Sequence, residues 1–86
     1  MPRGKPPLTL REVIRILESR GYTWREGKGD HRVYTDGEHV VLVDVGRREF
    51  GSKEITTFIH QMGLDRVSFY TSTEATARKI NRKRAT

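Results

Sequence analysis

Apolar residues recur at helical spacing in two stretches of the chain and alternate with polar ones between them. In the first stretch Leu10, Val13, Ile14 and Leu17 form one stripe, which predicts a helix from Leu10 to about Arg20. Thr9 and Glu12 have the spacing of a capping box at its start, and Gly21 stands where a left-handed C-terminal cap belongs. In the second stretch Ile55, Phe58, Ile59 and Met62 predict a helix from about Lys53 to Met62, with Ser52 as N-cap and Gly63 as stop. The intervening residues read as three strands: Tyr22–Glu26, His31–Thr35 and Glu38 to about Val45. Gly27-Lys28-Gly29-Asp30 is the first turn, and Asp36-Gly37 signals a tight hairpin as the second.

Alternation in the middle strand sets His31, Val33 and Thr35 on one face and Arg32 and Tyr34 on the other. With Val33 turned to the core, His31 falls at the rim of that same face. Val40-Val41-Leu42-Val43 is apolar on both faces and suggests a central or well-covered strand. Trp24 is the sole tryptophan; in so small a domain it is expected as a core anchor, with a base-stacking platform as the alternative. The order helix, three strands, helix predicts an α+β fold. One three-stranded antiparallel sheet with both helices on one face would bury both stripes.

The ends read differently. Residues 1–7 hold three prolines and a glycine and are expected to form a disordered basic leader to a domain spanning residues 8–64. Residues 65–86 form a basic C-terminal extension, expected to be partly helical. Val67-Ser68-Phe69-Tyr70 fits either a short strand or a helical turn. Thr71 and Glu74 have capping-box spacing before a helix from about Ser72 to Arg82. Its apolar content, Ala75, Ala77 and Ile80, is thin, so it is expected to fray alone and order on a partner.

Charge sharpens this division. The 86 residues carry a formal net charge of +6, but residues 8–64 hold nine Lys/Arg against nine Asp/Glu. The excess is therefore confined to the ends, as two arms that either add salt-sensitive affinity for phosphates or are simply solvated. Without cysteine the chain has neither disulfides nor a thiolate metal site. No apolar run approaches the ~20 residues of a membrane span, and no apolar stretch follows the N-terminal charges as in a secretory signal. A cytoplasmic protein is the expectation. His31, His39 and His60 lack metal-ligand spacing, and no nucleotide-cradling loop is present, so neither metal nor cofactor is expected.

The chemistry concentrates in Lys28-Gly29-Asp30-His31-Arg32-Val33-Tyr34. A glycine-rich basic turn delivers a histidine to the start of a strand. Histidine gives or takes a proton near neutral pH. Lys28 and Arg32 can hold a phosphate beside it, and Gly27 and Gly29 leave room for a substrate backbone. Tyr34 joins them as a candidate RNA-binding residue. Arg47-Arg48, in the connection before the second helix, is either a phosphate or acidic-partner contact or solvated loop charge. His60 falls off the buried stripe and reads as a surface residue; His39 has no evident partner.

Taken together these segments resemble the HicA (YcfA-like) mRNA interferase toxins of prokaryotic toxin–antitoxin systems. The resemblance runs from about Leu8 to Leu64. It rests on Arg11-Glu12-Val13-Ile14 with Leu17, on Gly21-Tyr22, on Lys28 to Tyr34 against the family's Gly-(Ser/Gly)-His-Arg-x-(Tyr/Phe) run, and on Glu49-Phe50, Phe58-Ile59 and Gly63-Leu64. It implies a small αβββα domain similar to a double-stranded-RNA-binding domain. It also implies metal-independent cleavage of mRNA with His31 as general acid/base, and a HicB-like antitoxin as protein partner. Asp44-Val45-Gly46 stand where the family usually has Pro-x-His, and Gly51-Ser52-Lys53 where it commonly has Pro-Lys-Gly. The alternative is a non-catalytic RNA-binding or protein-interaction module on the same fold.

Overall fold

Thr9 starts the first helix as its sequence predicts: the hydroxyl accepts the Glu12 N–H (3.2 Å) and Glu12 Oε1 accepts the Thr9 N–H (2.9 Å). The structure, a computed structural model, describes residues 5–84, and side chains as far as residue 80. Arg3 of the leader and the side chains of Arg82, Lys83 and Arg84 lie outside the described residues. In chain order the elements are β1 (Leu8–Thr9), α1 (Leu10–Ser19), β2 (Thr23–Glu26), β3 (His31–Thr35), β4 (Val40–Asp44), β5 (Glu49–Phe50), α2 (Ser52–Met62), α3 (Arg66–Tyr70) and α4 (Glu74–Arg84). Strands β2-β3-β4 form the antiparallel sheet, so the α+β architecture is the predicted one. Among the described residues no helix is long and apolar enough to cross a membrane.

One core joins all the layers. Val13, Ile16 and Leu17 of α1 and Ile55, Phe58, Ile59 and Met62 of α2 close over Tyr34, Val41 and Val43 of the sheet. Leu10 and Ile14, predicted for the α1 stripe, are only partly buried, and Ile16 lies deeper than either. The N-cap of α2 is Gly51, one residue before the predicted Ser52; Glu54 Oε1 accepts the Gly51 N–H (3.1 Å). The helix ends at Gly63 in the left-handed conformation.

The choice of covered face reverses one expectation. Tyr34 is the buried residue of β3, while Val33 is half-buried. The helices therefore cover the Arg32–Tyr34 side, and His31 belongs to the opposite, open face. Alternation defines two faces; only the placement of the helices decides which one is inside. Strand β4 is an edge rather than a central strand, and its open face leaves Val40 54% and Leu42 50% exposed. Strand β2 is the other edge, exposed along its whole length, which carries Trp24 out of the core to 45% exposure.

Two further features have no counterpart in the periodicity. Strands β1 and β5 form a second, two-stranded antiparallel sheet, with Leu8 opposite Phe50, both buried. The C-terminal extension is built into the core: Phe69, Tyr70 and Ile80 are buried in the same cluster, with the Phe69 and Tyr70 rings edge to face at 5.5 Å. Val67–Tyr70 is thus helical, in α3. Thr73 rather than Thr71 caps the start of α4, its Oγ1 accepting the Thr76 N–H (3.2 Å). The expectation that this segment orders only on a partner is not met, because Phe69 and Tyr70 supply apolar surface that α4 alone lacks. Tyr70 donates its hydroxyl to Pro6 O (2.6 Å), and Lys79 Nζ donates to Pro7 O and Glu12 Oε1 (both 3.0 Å). The end of the predicted leader is therefore pinned, and Lys79 serves the fold. Burial raises the Glu12 carboxyl but is outweighed by the Thr9 N–H and Lys79, so it lies below its ordinary value.

Asp36 organises the β3–β4 loop. Its Oδ1 accepts the backbone N–H groups of His39 (2.7 Å) and Glu38 (2.9 Å), and the His39 ring lies 3.3 Å from Oδ2. These donors hold the carboxyl at about 2 against an ordinary 3.8. A carboxyl depressed by folding adds stability above its unfolded value and loses it as pH falls through the folded one. The loop is therefore expected to loosen between about pH 4 and pH 2. A carbon-detected NMR titration should place the Asp36 midpoint near 2; a midpoint at 3.8 would show that the two N–H donors are not engaged.

Candidate functional site

The turn that presents His31 is closed by its own backbone. Gly27 N–H donates to His31 O (2.9 Å), and His31 N–H donates to Lys28 O (3.1 Å). A side chain at position 27 would meet His31 O at 3.0 Å and Val33 Cγ2 at 3.3 Å, while Gly29 takes φ +61°. The room at Gly27 is thus filled by β3 itself, not kept for a substrate backbone. The turn is tied to the end of β4 by the Val45 N–H on Asp30 O (2.8 Å). His31 is left exposed at the first residue of β3, and no hydrogen bond or ion pair from a described residue engages its ring. Such a ring is open to a bound molecule.

Charged groups surround it with both signs. Asp44 is the cross-strand partner of His31, and its Oδ1 accepts the Gly46 N–H (2.9 Å). Asp30 Oδ2 lies close to the same glycine. Lys28 is exposed on the turn. Arg32 is half-buried: its guanidinium stacks over the Trp24 ring, 3.8 Å from the centroid, and donates from Nη1 to Tyr34 Oη (3.2 Å). Tyr34 is itself fully buried, which removes it from the surface a nucleic acid could touch; it positions Arg32 instead. Arg47 pairs with Glu54 (2.9 Å) and sits over Phe50. The Glu54 carboxyl is lowered by its own N–H at the helix start, then by Gly51 N–H and Arg47. Arg48 is exposed, and its carbonyl accepts the Leu10 N–H (2.9 Å).

Two clefts meet at His31. The larger, about 310 Å³, lies between β4 and α2. Leu42, Phe50 and Phe58 form its apolar part, and Asp44, Arg47 and Gln61 contribute polar groups. The smaller, about 210 Å³, lies at the hairpin tip among Trp24, Glu26, Asp30 and Arg32. Of the residues proposed from sequence, His31 lines both, Arg32 one and Arg47 the other. Lys28 and Arg48 line neither. Sequence reasoning missed Leu42, Phe58 and Gln61, because α2 meets β4 only in three dimensions. Among the described residues no three His, Cys, Asp or Glu side chains cluster as metal ligands. No family model matches this chain, and no curated protein matches it.

Proposed function

We propose that the chain is a metal-independent endoribonuclease acting on mRNA, the toxin of a HicA-type toxin–antitoxin pair, with His31 as general acid/base. The observation that carries this reading is the exposed His31 ring, held on a rigid strand end where two clefts meet, with Arg32 and Arg47 on either side. In the reaction the ring takes the proton of a ribose 2′-hydroxyl. The 2′-oxygen bonds to phosphorus, the bond to the 5′-oxygen breaks, and that oxygen takes a proton from solvent water, leaving a 2′,3′-cyclic phosphate and a 5′-hydroxyl. Arg32, Lys28 and Arg47 would balance the charge that grows on the phosphoryl oxygens. Arg32 is suited to this because Trp24 and Tyr34 fix its guanidinium before a substrate arrives. A HicB-like antitoxin would silence the toxin by covering His31.

The reading is tested by incubating purified protein with a labelled, structured mRNA in EDTA beside His31→Ala; cutting by the wild type alone supports it. One observation favours the non-catalytic alternative. The carboxylates of Asp30 and Asp44 both lie at Gly46, next to His31, and oppose close approach of a phosphate. A binding module predicts RNA affinity that falls steeply with salt and is unchanged in His31→Ala.

A further inference from the structure

The two clefts differ in what they offer, and neither is built for a phosphate alone. The floor of the larger is formed by Leu42, Phe50 and Phe58, and its volume of about 310 Å³ stands at the lower end of the range of small-ligand pockets. Gln61 stands at its wall, and among the described residues nothing donates to its buried Oε1. A carboxamide in that position has unused hydrogen-bonding capacity beside an apolar floor. The smaller cleft is walled by Trp24, which stays 45% exposed although it is the only tryptophan in the chain. One face of the indole is taken by Arg32 at 3.8 Å. A duplex keeps its bases stacked inside and presents sugars and phosphates. It would leave the Phe58 floor empty, and a rigid phosphate track past His31 would run against Asp30, Asp44, Glu26 and Glu54.

Resting on the reading of the chain as an RNA-binding ribonuclease, we propose that its substrate is unpaired RNA, held with neighbouring nucleotides splayed to the two sides of His31. One base enters the cleft between β4 and α2, over Leu42 and Phe58 and against Gln61. The adjoining nucleotide lies along Trp24, and its phosphate is taken by the N–H groups of Arg32 that Tyr34 leaves unused. The linking phosphate then passes His31. An unpaired strand can route its few phosphates past Arg32 and Arg47 and turn bases, rather than charge, toward the apolar surfaces. The specificity for unpaired RNA thus comes from tertiary placement on a fold whose resemblance suggests duplex binding.

The test uses the full chain carrying His31→Ala, so that nothing is cut during titration. The probe is a fluorescein-labelled heptamer RNA of mixed sequence, alone and annealed to its complement. The single strand is expected to bind at least about tenfold more tightly than the duplex, to change Trp24 emission on saturation, and to shift the Thr57 and Gln61 amide resonances. Trp24→Ala is expected to weaken binding about tenfold. Thr57→Phe should do the same by filling the cleft from an exposed helix position, circular dichroism confirming that both variants fold. Equal or tighter binding of the duplex, unchanged Trp24 emission at saturation, or full affinity in Thr57→Phe would overturn the proposal. The ribonuclease reading is decided separately, by cleavage with wild type. A chain that grips unpaired RNA in this manner without cutting it loses the ribonuclease reading and keeps this one. A chain that cuts duplex as readily as single strand keeps the former and loses the latter.

Discussion

Replacing His31 by alanine is expected to lower mRNA cleavage in EDTA by roughly 10²- to 10⁴-fold, the ordinary contribution of a positioned general acid or base. The fold should be untouched. His31 is exposed, its ring makes no hydrogen bond with a described residue, and the bonds that close the turn, Gly27 N–H to His31 O and His31 N–H to Lys28 O, belong to the backbone. Thermal melting of the variant should therefore coincide with that of the wild type within the small range typical of surface substitutions. The pairing of the two results is what matters. Lost cleavage with an unchanged melt assigns chemistry to the side chain. Unchanged cleavage removes His31 from the reaction and places the acid/base chemistry on another residue; no cleavage by the wild type leaves a binding module. Arg32→Ala offers a contrast: it strips the guanidinium from Trp24 and from Tyr34 Oη, so it should weaken RNA binding as well as rate.

Phe69→Ala is expected to cost about 3–5 kcal/mol, the usual range for removing a phenyl ring from a packed core. Phe69 is fully buried, and its ring meets Tyr70 edge to face. Native stability of small domains is about 5–15 kcal/mol, so the loss would consume much of the total. The melting temperature should fall by more than about 12 °C in a domain of this size. Val67→Ala, two residues away but 51% exposed, should leave it nearly unchanged. A chain ended after Leu64 would strip Phe69, Tyr70 and Ile80 from the core and lose the ties of Tyr70 to Pro6 and of Lys79 to Glu12. It should lose its cooperative transition. If Phe69→Ala melts like wild type, the extension is an ornament rather than a wall of the core.

The family resemblance runs only to about Leu64, and charge marks the rest as a basic arm; neither description reveals the two aromatic residues. Phe69 and Tyr70 sit side by side in a short segment with no period of its own, so their burial had no local signature. The same limit explains Trp24. Its type predicts an interior position, because tryptophan has much apolar surface to hide. Whether it hides depends on how far the helices reach across the sheet, and they stop short of β2. Tyr34 is the converse: a residue set apart as a contact for RNA is enclosed and works through Arg32.

By itself the sequence determined what local chemistry controls. The capping box at Thr9, the α2 stripe from Ile55 to Met62, the glycine stops after both helices and the position of His31 at a strand start all follow from spacing and side-chain type, whereas the tight turn expected at Asp36-Gly37 is a longer loop, 36–39, that Asp36 closes by accepting from Glu38 and His39. The tertiary structure alone decided which face of the sheet is covered, which strands are edges, and that β1 pairs with β5. It also decided that α2 meets β4 to form a cleft and that residues 66–80 complete the core. The division has one physical cause. Hydrogen bonding and periodicity act over a few residues and are written in their order, whereas burial is settled by whichever distant segment arrives to exclude water from a face.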